Sequence, residues 1–459
     1  MRPKNQIARD QLAPLLGRTP RASASELAKA LGVSVAMLHR LLAELPPGQT
    51  VSAGRSRRTR YALRRPLRGD MADIPLYAID ATGRASLVSN LALVHPHGTL
   101  LPLDDSTWPV PRESRDGWWD GLPYPFYDMR PQGYLGRNFA RAQHHQYGLS
   151  QDPDEWSDED IVFVLSRAGT DTVGNLLLGD EAYRRWLQLK LATREPLPEA
   201  NLGEHYARLA QLAITTGDPA SSAAGEFPKF TAVRQNSQAT AHVIVKFSGA
   251  GNSAAELRWA DLLVCEHLAL GYATKLPGVT SARTRVLRQA GRVFLESERF
   301  DRVGLDGRLP VCTLAALSPA FLGDSSTDWT RLVMRLRDLG LAGLETAHAV
   351  EHLWWFGHLV GNTDMHLGNL SFRVAQNFQA TPAYDMLPMM YAPLPGGEVP
   401  PREFRPRLPS PQQRDVWLAA CSIALDFWRS ASTDTRISEP FRALCAANLL
   451  QLTETVARV

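Results

Sequence analysis

Directly behind the apolar run LWWFGHLV (353–360) the chain reads GNTDMHLGNL (361–370), which sets Asn362, Asp364, His366 and Asn369 within eight positions. This pairing constrains the fold more than any other stretch. An apolar run of this kind is drawn inside, and the polar loop that follows goes with it. Buried hydrogen-bonding groups are costly unless they meet partners, so something charged has to lie against the loop.

At 459 residues the chain is long for one core and points to about two to four compact units. It has no apolar run of about 18 residues, so no membrane span is expected. Its start, MRPKNQIARD, lacks the apolar stretch of a secretory signal. Cys265, Cys312, Cys421 and Cys445 stand singly, the pattern of free thiols in a reducing cytoplasm, not of a disulfide frame or a zinc site. The formal net charge of +3 is unevenly spread: residues 1–68 hold fourteen Lys and Arg against Asp10, Glu26 and Glu44, a net of +11, leaving −8 for the rest. A basic head on an acidic body implies a polyanionic partner for the head alone.

The head has a readable plan. After a first apolar-periodic segment, QIARDQLAPLL, Ser23 and Glu26 make a capping box that opens the helix SELAKAL. Gly32 makes the turn and Ser34 caps a second helix, with Val35, Leu38, Leu41, Leu42 and Leu45 along one face. TVSAGRSRRTRYALRR then reads as a hairpin with an arginine-loaded tip. Helix, turn, helix and basic wing resemble a winged helix-turn-helix that binds double-stranded DNA. Ser34, Met37, His39 and Arg40 would face the major groove, and Arg55, Arg57, Arg58 and Arg60 would reach phosphates.

Residues 70–150 are rich in Gly, Pro and aromatics with short strand-like runs, and QDPDEWSDED reads as a solvated helix start. A small-residue loop, SSAAGEFPK, precedes a β-type run ending in Lys246; AAELRWADLLVCEHLALG reads as a helix closed by Gly271, and RVFLESERFDR as a strand running into a linker. Beyond about residue 310 the pattern is mostly helical, broken by the loop at 361–370 and by a proline-dense loop at 388–411.

Asp364 and Asn369 stand five apart, the spacing of base and metal-binding amide in a protein-kinase catalytic loop. In that geometry the carboxylate reaches an attacking hydroxyl while the amide oxygen holds magnesium. Sixteen residues after Asn369, Asp385 in TPAYDMLP would bridge the metal to phosphates, and Lys246 would hold the α- and β-phosphates. The small-residue loop would cover the triphosphate with backbone N–H groups. Glu256, Asp261 and Glu266 are all spaced to pair with Lys246.

Taken together these residues resemble the HipA-like serine/threonine kinases, the toxin component of bacterial toxin–antitoxin systems, over residues 72–459. The signature N-D-x-H-x-x-N is met by GNTDMHLGN with Thr363 inserted, the Y-D metal motif by AYDMLP, and the hinge motif by ERFDR at 298–302. SAAGEFPK is similar to the family's phosphate-binding segment, with Phe227-Pro228 where polar residues are usual, and GTDTVGNLLL to a G-x-D-x-x-G-A-L element. The resemblance implies an α+β, two-lobed, protein-kinase-like fold using ATP and Mg²⁺. Residues 1–68 would be the winged domain, 69–200 a β-rich subdomain with a helical connector, 201–303 the N-lobe and 304–459 the helical C-lobe. Asp364 would be the catalytic base, with Lys246 beside it, and Asn369 and Asp385 the metal ligands. Ala224, Gly225, Glu226, Phe227, Pro228, Lys229, Glu298, Arg299, Phe300, His366 and Tyr384 would join them around ATP. Ser222, with Ser221 beside it, would be the self-phosphorylated, self-inactivating serine. The implied partners are a cytoplasmic protein with a Ser/Thr acceptor, by analogy an aminoacyl-tRNA synthetase, and an antitoxin. Two other readings compete: a DNA-binding regulator with a nucleotide-sensing pseudokinase body, and a metal-dependent nuclease using Asp364, His366 and Asp385.

Overall fold

The computed structural model describes residues 3–104, 106–216, 227–235 and 240–459. In the head, α1 (Pro3–Arg18), β1 (Ala22–Ser23), α2 (Ala24–Leu31), α3 (Val35–Glu44), β2 (Thr50–Ala53) and β3 (Arg60–Leu63) give three helices and a sheet in the order β1-β3-β2. The caps are those the sequence announces. Ser23 and Glu26 form the capping box, Gly32 sits at φ +64 where a side chain would be strained, and the Ser34 hydroxyl accepts the Met37 N–H. Leu12, Leu16, Leu27, Leu38 and Leu41 are buried together. Val35 is exposed instead, because the packed face of α3 starts one turn later.

The wing hairpin belongs to two cores. Val51 and Ala62 pack with Ala92, Val94, Leu100 and Trp118 of the following region, and the N–H groups of Arg65 and His95 donate to the carbonyls of Leu93 and Leu63. Arg64 pairs with Asp73 at 2.7 Å and Arg21 with Asp120 at 2.9 Å, while Arg65 and Arg68 meet Glu159 and Asp160. The acidic run expected as a solvated helix start is therefore partly an internal counter-charge for the head.

The middle region folds as β4 (Ile74–Ile79), β5 (Ala85–Leu93), β6 (Thr99–Leu100), β7 (Trp118–Trp119), α4 (Gly133–Tyr147), α5 (Asp158–Ala168), β8 (Leu176–Leu178) and α6 (Asp180–Leu191). Its sheet runs β7-β6-β5-β4-β8, all antiparallel. Next come β9 (Leu197–Pro198), α7 (Leu202–Thr216), β10 (Lys229–Gln235), β11 (Thr240–Phe247), α8 (Ala254–Ala273), β12 (Thr284–Gln289) and β13 (Arg292–Glu298), with the sheet order β12-β13-β11-β10-β9. Tyr206 of α7 packs with Phe230, Val243, Val245, Phe247 and Phe294 on one face of this sheet. Side chains alternate along a strand, so Lys246 points to the other face, toward α8. The α8 helix starts at a Ser253–Glu256 capping box and runs through Gly271 to Ala273, two residues beyond the glycine expected to close it.

A short hairpin, β14 (Arg302–Val303) and β15 (Gly307–Arg308), leads to the C-terminal lobe. There β16 (Val311–Thr313), α9 (Leu314–Leu317), α10 (Trp329–Asp338), α11 (Leu344–Leu359), β17 (Ser371–Val374), β18 (Phe378–Ala380), α12 (Arg414–Thr433) and α13 (Glu439–Val456) follow. Leu353, Trp354, Trp355 and Phe356 of α11 are all buried, but the helix carries only part of the polar loop inward. Asn362 and Asn369 are buried, while Thr363, Asp364 and His366 stay exposed because the loop opens to the surface between its two amides. The loop leaves through β17, the middle strand of β16-β17-β18. All four cysteines are buried and unpaired, and no helix of the described residues is long and apolar enough to cross a membrane.

Candidate active site

Lys246 settles which acid faces it. Its ammonium lies 2.7 and 2.8 Å from the two carboxylate oxygens of Glu266 and 2.6 Å from Asp385. Glu256 is spent on the α8 capping box, and Asp261 accepts from the Ser438 backbone and hydroxyl. Burial alone would discharge Lys246, but Asp385 and Glu266 more than offset it and hold the ammonium charged. Burial pushes Glu266 upward against the pull of Lys246. For Asp385 burial also works upward, yet Lys246 and Lys229 carry it below the ordinary carboxylate range. Lys229 sits opposite Lys246 in the β10–β11 register, so both cations share one face.

The loop at 361–370 is braced by its own amides. The Asn362 side-chain oxygen accepts the Asp364 N–H at 3.0 Å, and its NH₂ donates to the Asp385 carbonyl at 3.1 Å. The Asn369 NH₂ donates to the Asp364 carbonyl at 2.7 Å, which turns its amide oxygen the other way. Asp364 itself is exposed. Asp385 adopts φ +52, a conformation disfavoured for a non-glycine residue, and a third of its side chain stays open (34%), so a cation can reach it. A neutral amide oxygen and a carboxylate are both hard donors of the kind that Mg²⁺ takes, so the chemistry of Asn369 and Asp385 fits that ion. Among the described residues no three His, Cys, Asp or Glu side chains gather as a metal cage would need. His366 is instead a cap, its Nδ1 accepting the Gly368 N–H at 3.0 Å.

Other expected residues are placed differently. Glu298 is engaged by Arg234 at 2.6 Å and shares the register position of Val243, on the α7 face of the sheet. Arg299 is tied to Asp171 and Asp301. Only Phe300 of the three hinge residues lies by the loop, its ring 5.6 Å from that of Tyr384. The Tyr384 hydroxyl is committed to the Gly368 carbonyl and Ser371, each at 2.6 Å. Phe227 packs on Trp259 with the Lys246 ammonium 5.7 Å from its ring, and Pro228 accepts the Phe247 N–H. Ser221, Ser222, Ala224, Gly225 and Glu226 lie outside the described residues. Sequence reasoning missed the bracing role of Asn362, although the residue stands in the motif.

On the head, His39, Arg40, Arg55, Arg57 and Arg58 are exposed. Ser34 is the α3 cap, Met37 packs against the head core while staying half-exposed, and Arg60 is paired with Glu26 at 3.1 Å.

Against known proteins, residues 221–435 match the HipA-like C-terminal domain and residues 70–187 the YjjJ-like toxin middle domain. The chain is 36% identical over 454 residues to Toxin YjjJ of Escherichia coli (strain K12), covering 98% of this chain and 99% of that one. This chain belongs to the HipA-like toxins. HipA in the Shewanella oneidensis MR-1 complex of HipA, HipB and operator DNA superposes with a TM-score of 0.53 at 14% identity, covering 83% of this chain and 95% of that one, which shows the shared fold. The Helicobacter pylori proinflammatory kinase CtkA aligns over 49% of this chain and 87% of its own, at 12% identity and a TM-score of 0.34. The mixed α/β architecture of this HipA-like toxin is thus the one it shares with HipA.

Proposed function

We propose that this HipA-like toxin is an ATP- and Mg²⁺-dependent serine/threonine protein kinase acting on a cytoplasmic protein, and that its head binds duplex DNA. The observation that carries the kinase reading is Lys246 held between Glu266 and Asp385, next to a loop that fixes Asp364 and Asn369 in order. Lys246 would neutralise the α- and β-phosphates, and Lys229 adds charge on the same face. Asp364 would take the proton of the acceptor hydroxyl as its oxygen bonds to phosphorus and the bond to the leaving ADP oxygen breaks. Bound at Asn369 and Asp385, Mg²⁺ would supply charge neutralisation. Phe300 would border the adenine. Ser222 would be the self-phosphorylation site, with Ser221 as its alternative. The exposed base and intact Asn369 speak against a mere nucleotide sensor, and the scattered acids against a nuclease. The analogy of a separate antitoxin extends to this chain as a further partner.

Incubation with labelled ATP, and separately with plasmid DNA, each with and without magnesium, tests the reading. Phosphotransfer lost in Asp364→Asn and intact plasmid support it. Wild-type transfer by that variant, or magnesium-dependent nicking, overturns it.

A further inference from the structure

Two motifs, GTDTVGN (169–175) in the middle region and ERFDR (298–302) at the hinge, come together in space. Asp171 accepts from Arg299 at 3.1 Å and from Arg302 at 2.7 Å, while Asp301 accepts from the same two arginines at 2.9 and 2.7 Å. The backbone joins in. The Gly174 N–H donates to Asp301, and Arg302 donates to the carbonyls of Gly174 and Thr172. Arg308 donates to the Thr170 carbonyl. On its other side the hairpin meets a second middle-region turn, where the Arg308 N–H donates to the Asp80 carbonyl. The approach is too close for side chains: a Cβ on Gly307 would stand 2.1 Å from the Ala81 carbonyl oxygen, and one on Gly83 2.6 Å from Asp306.

From this we infer that the middle domain is a clamp on the hinge, with Asp171 as its positioning residue, and that it thereby sets nucleotide affinity. The inference rests on the kinase reading above. The hinge hairpin follows Phe300, which stands beside Tyr384, so whatever fixes the hairpin fixes one border of the nucleotide pocket. Charge makes the clamp specific. Arg299, Arg302 and Arg308 are three guanidinium groups in one buried cluster with Asp301. Asp171, reaching in from the rim with 53% of its side chain exposed, is the second carboxylate. Without it three cations face one anion, and the cluster has to open or take in water. The middle domain thus contributes no group to the reaction but decides how the two lobes are set.

The test uses the full chain and three variants: Asp171→Asn, Gly307→Ala, and the double variant Asp171→Asn with Arg308→Met, which returns the cluster to its wild-type net charge. Calorimetric titration with Mg·ATP, turnover at saturating ATP, and hydrogen exchange across residues 299–308 are measured on each. We expect both single variants to bind Mg·ATP about tenfold more weakly or worse, with turnover at saturation kept within a factor of about two and faster exchange at the hinge. The double variant should recover much of the affinity, which a general loss of fold would not do. Unchanged exchange in both single variants overturns the clamp, and so does faster exchange with unchanged affinity. If Gly307→Ala does not fold, Asp171→Asn, which keeps the side-chain shape, decides alone. A wild-type chain that fails to bind Mg·ATP overturns the clamp's role together with the kinase reading, and shows this before any variant is made.

Discussion

The loop at 361–370 and the wing tip are both short polar connections, yet they are built in opposite ways. At 361–370 the amides are tied down: Asn362 to the backbone of Asp364 and Asp385, Asn369 to the backbone of Asp364. At the wing tip Arg55, Arg57 and Arg58 are exposed on a single turn closed by backbone bonds. The difference follows from what each would do. A base must meet a hydroxyl within a fraction of an ångström, whereas capture of phosphates by counterion release tolerates mobile side chains.

The largest effect expected from this contrast is at Asp364. Asp364→Asn should lower phosphotransfer by about 10²–10⁴-fold while calorimetry finds Mg·ATP binding intact. Asn362→Ala sharpens the comparison, since it removes a brace on Asp364 without deleting any reacting group. Misplacement of the base should cost up to about 10²-fold in turnover, measured with labelled ATP. An unimpaired Asn362→Ala enzyme would mean the loop is no more preorganised than the wing.

Acid should weaken the α11 side of the molecule through one partly buried histidine. Burial, then the Arg407 charge, lowers His358 to about 4, so the folded chain holds it neutral at the end of α11. A depressed histidine contributes stability that is present above its unfolded value near 6.5 and is lost as pH falls from there toward 4. The loss is on the order of 2 kcal/mol for this partly buried ring. Urea unfolding of the wild type and His358→Gln at pH 7 and pH 4.5 should show a smaller drop in the variant.

At the wing the effects should be smallest and graded by commitment. Arg57→Ala and Arg58→Ala should each lower the log–log salt slope of DNA binding by about 0.9. Arg60→Ala should change it less, because that guanidinium is already occupied by Glu26. Gel shifts of the full chain at two salt concentrations compare the three, and equal slopes would erase the distinction.

The candidate site at the loop was legible because it depends on spacing along the chain. Asp364, Asn369 and Asp385 keep their separations whatever the rest of the fold does, and caps such as Ser23–Glu26 are equally local. What required the third dimension was partnership. Three acids of α8 were spaced to meet Lys246, and helix orientation selects Glu266. The side chains of Glu298 and Arg299 read as a hinge pair from sequence, but strand alternation and the ion cluster turn them away. Counting charge overstated the head's free cationic surface, since the sum does not reveal that Arg21, Arg64, Arg65 and Arg68 are answered by acids of the body.

The core shared by the wing hairpin and the middle sheet bears on how such a chain can be rearranged. A break after residue 68 would strip cover from Ala92, Val94, Leu100 and Trp118, leaving an apolar patch beside a sheet. Such a fragment invites proteolysis and self-association. The head is thus a poor candidate for loss or exchange by recombination at that joint.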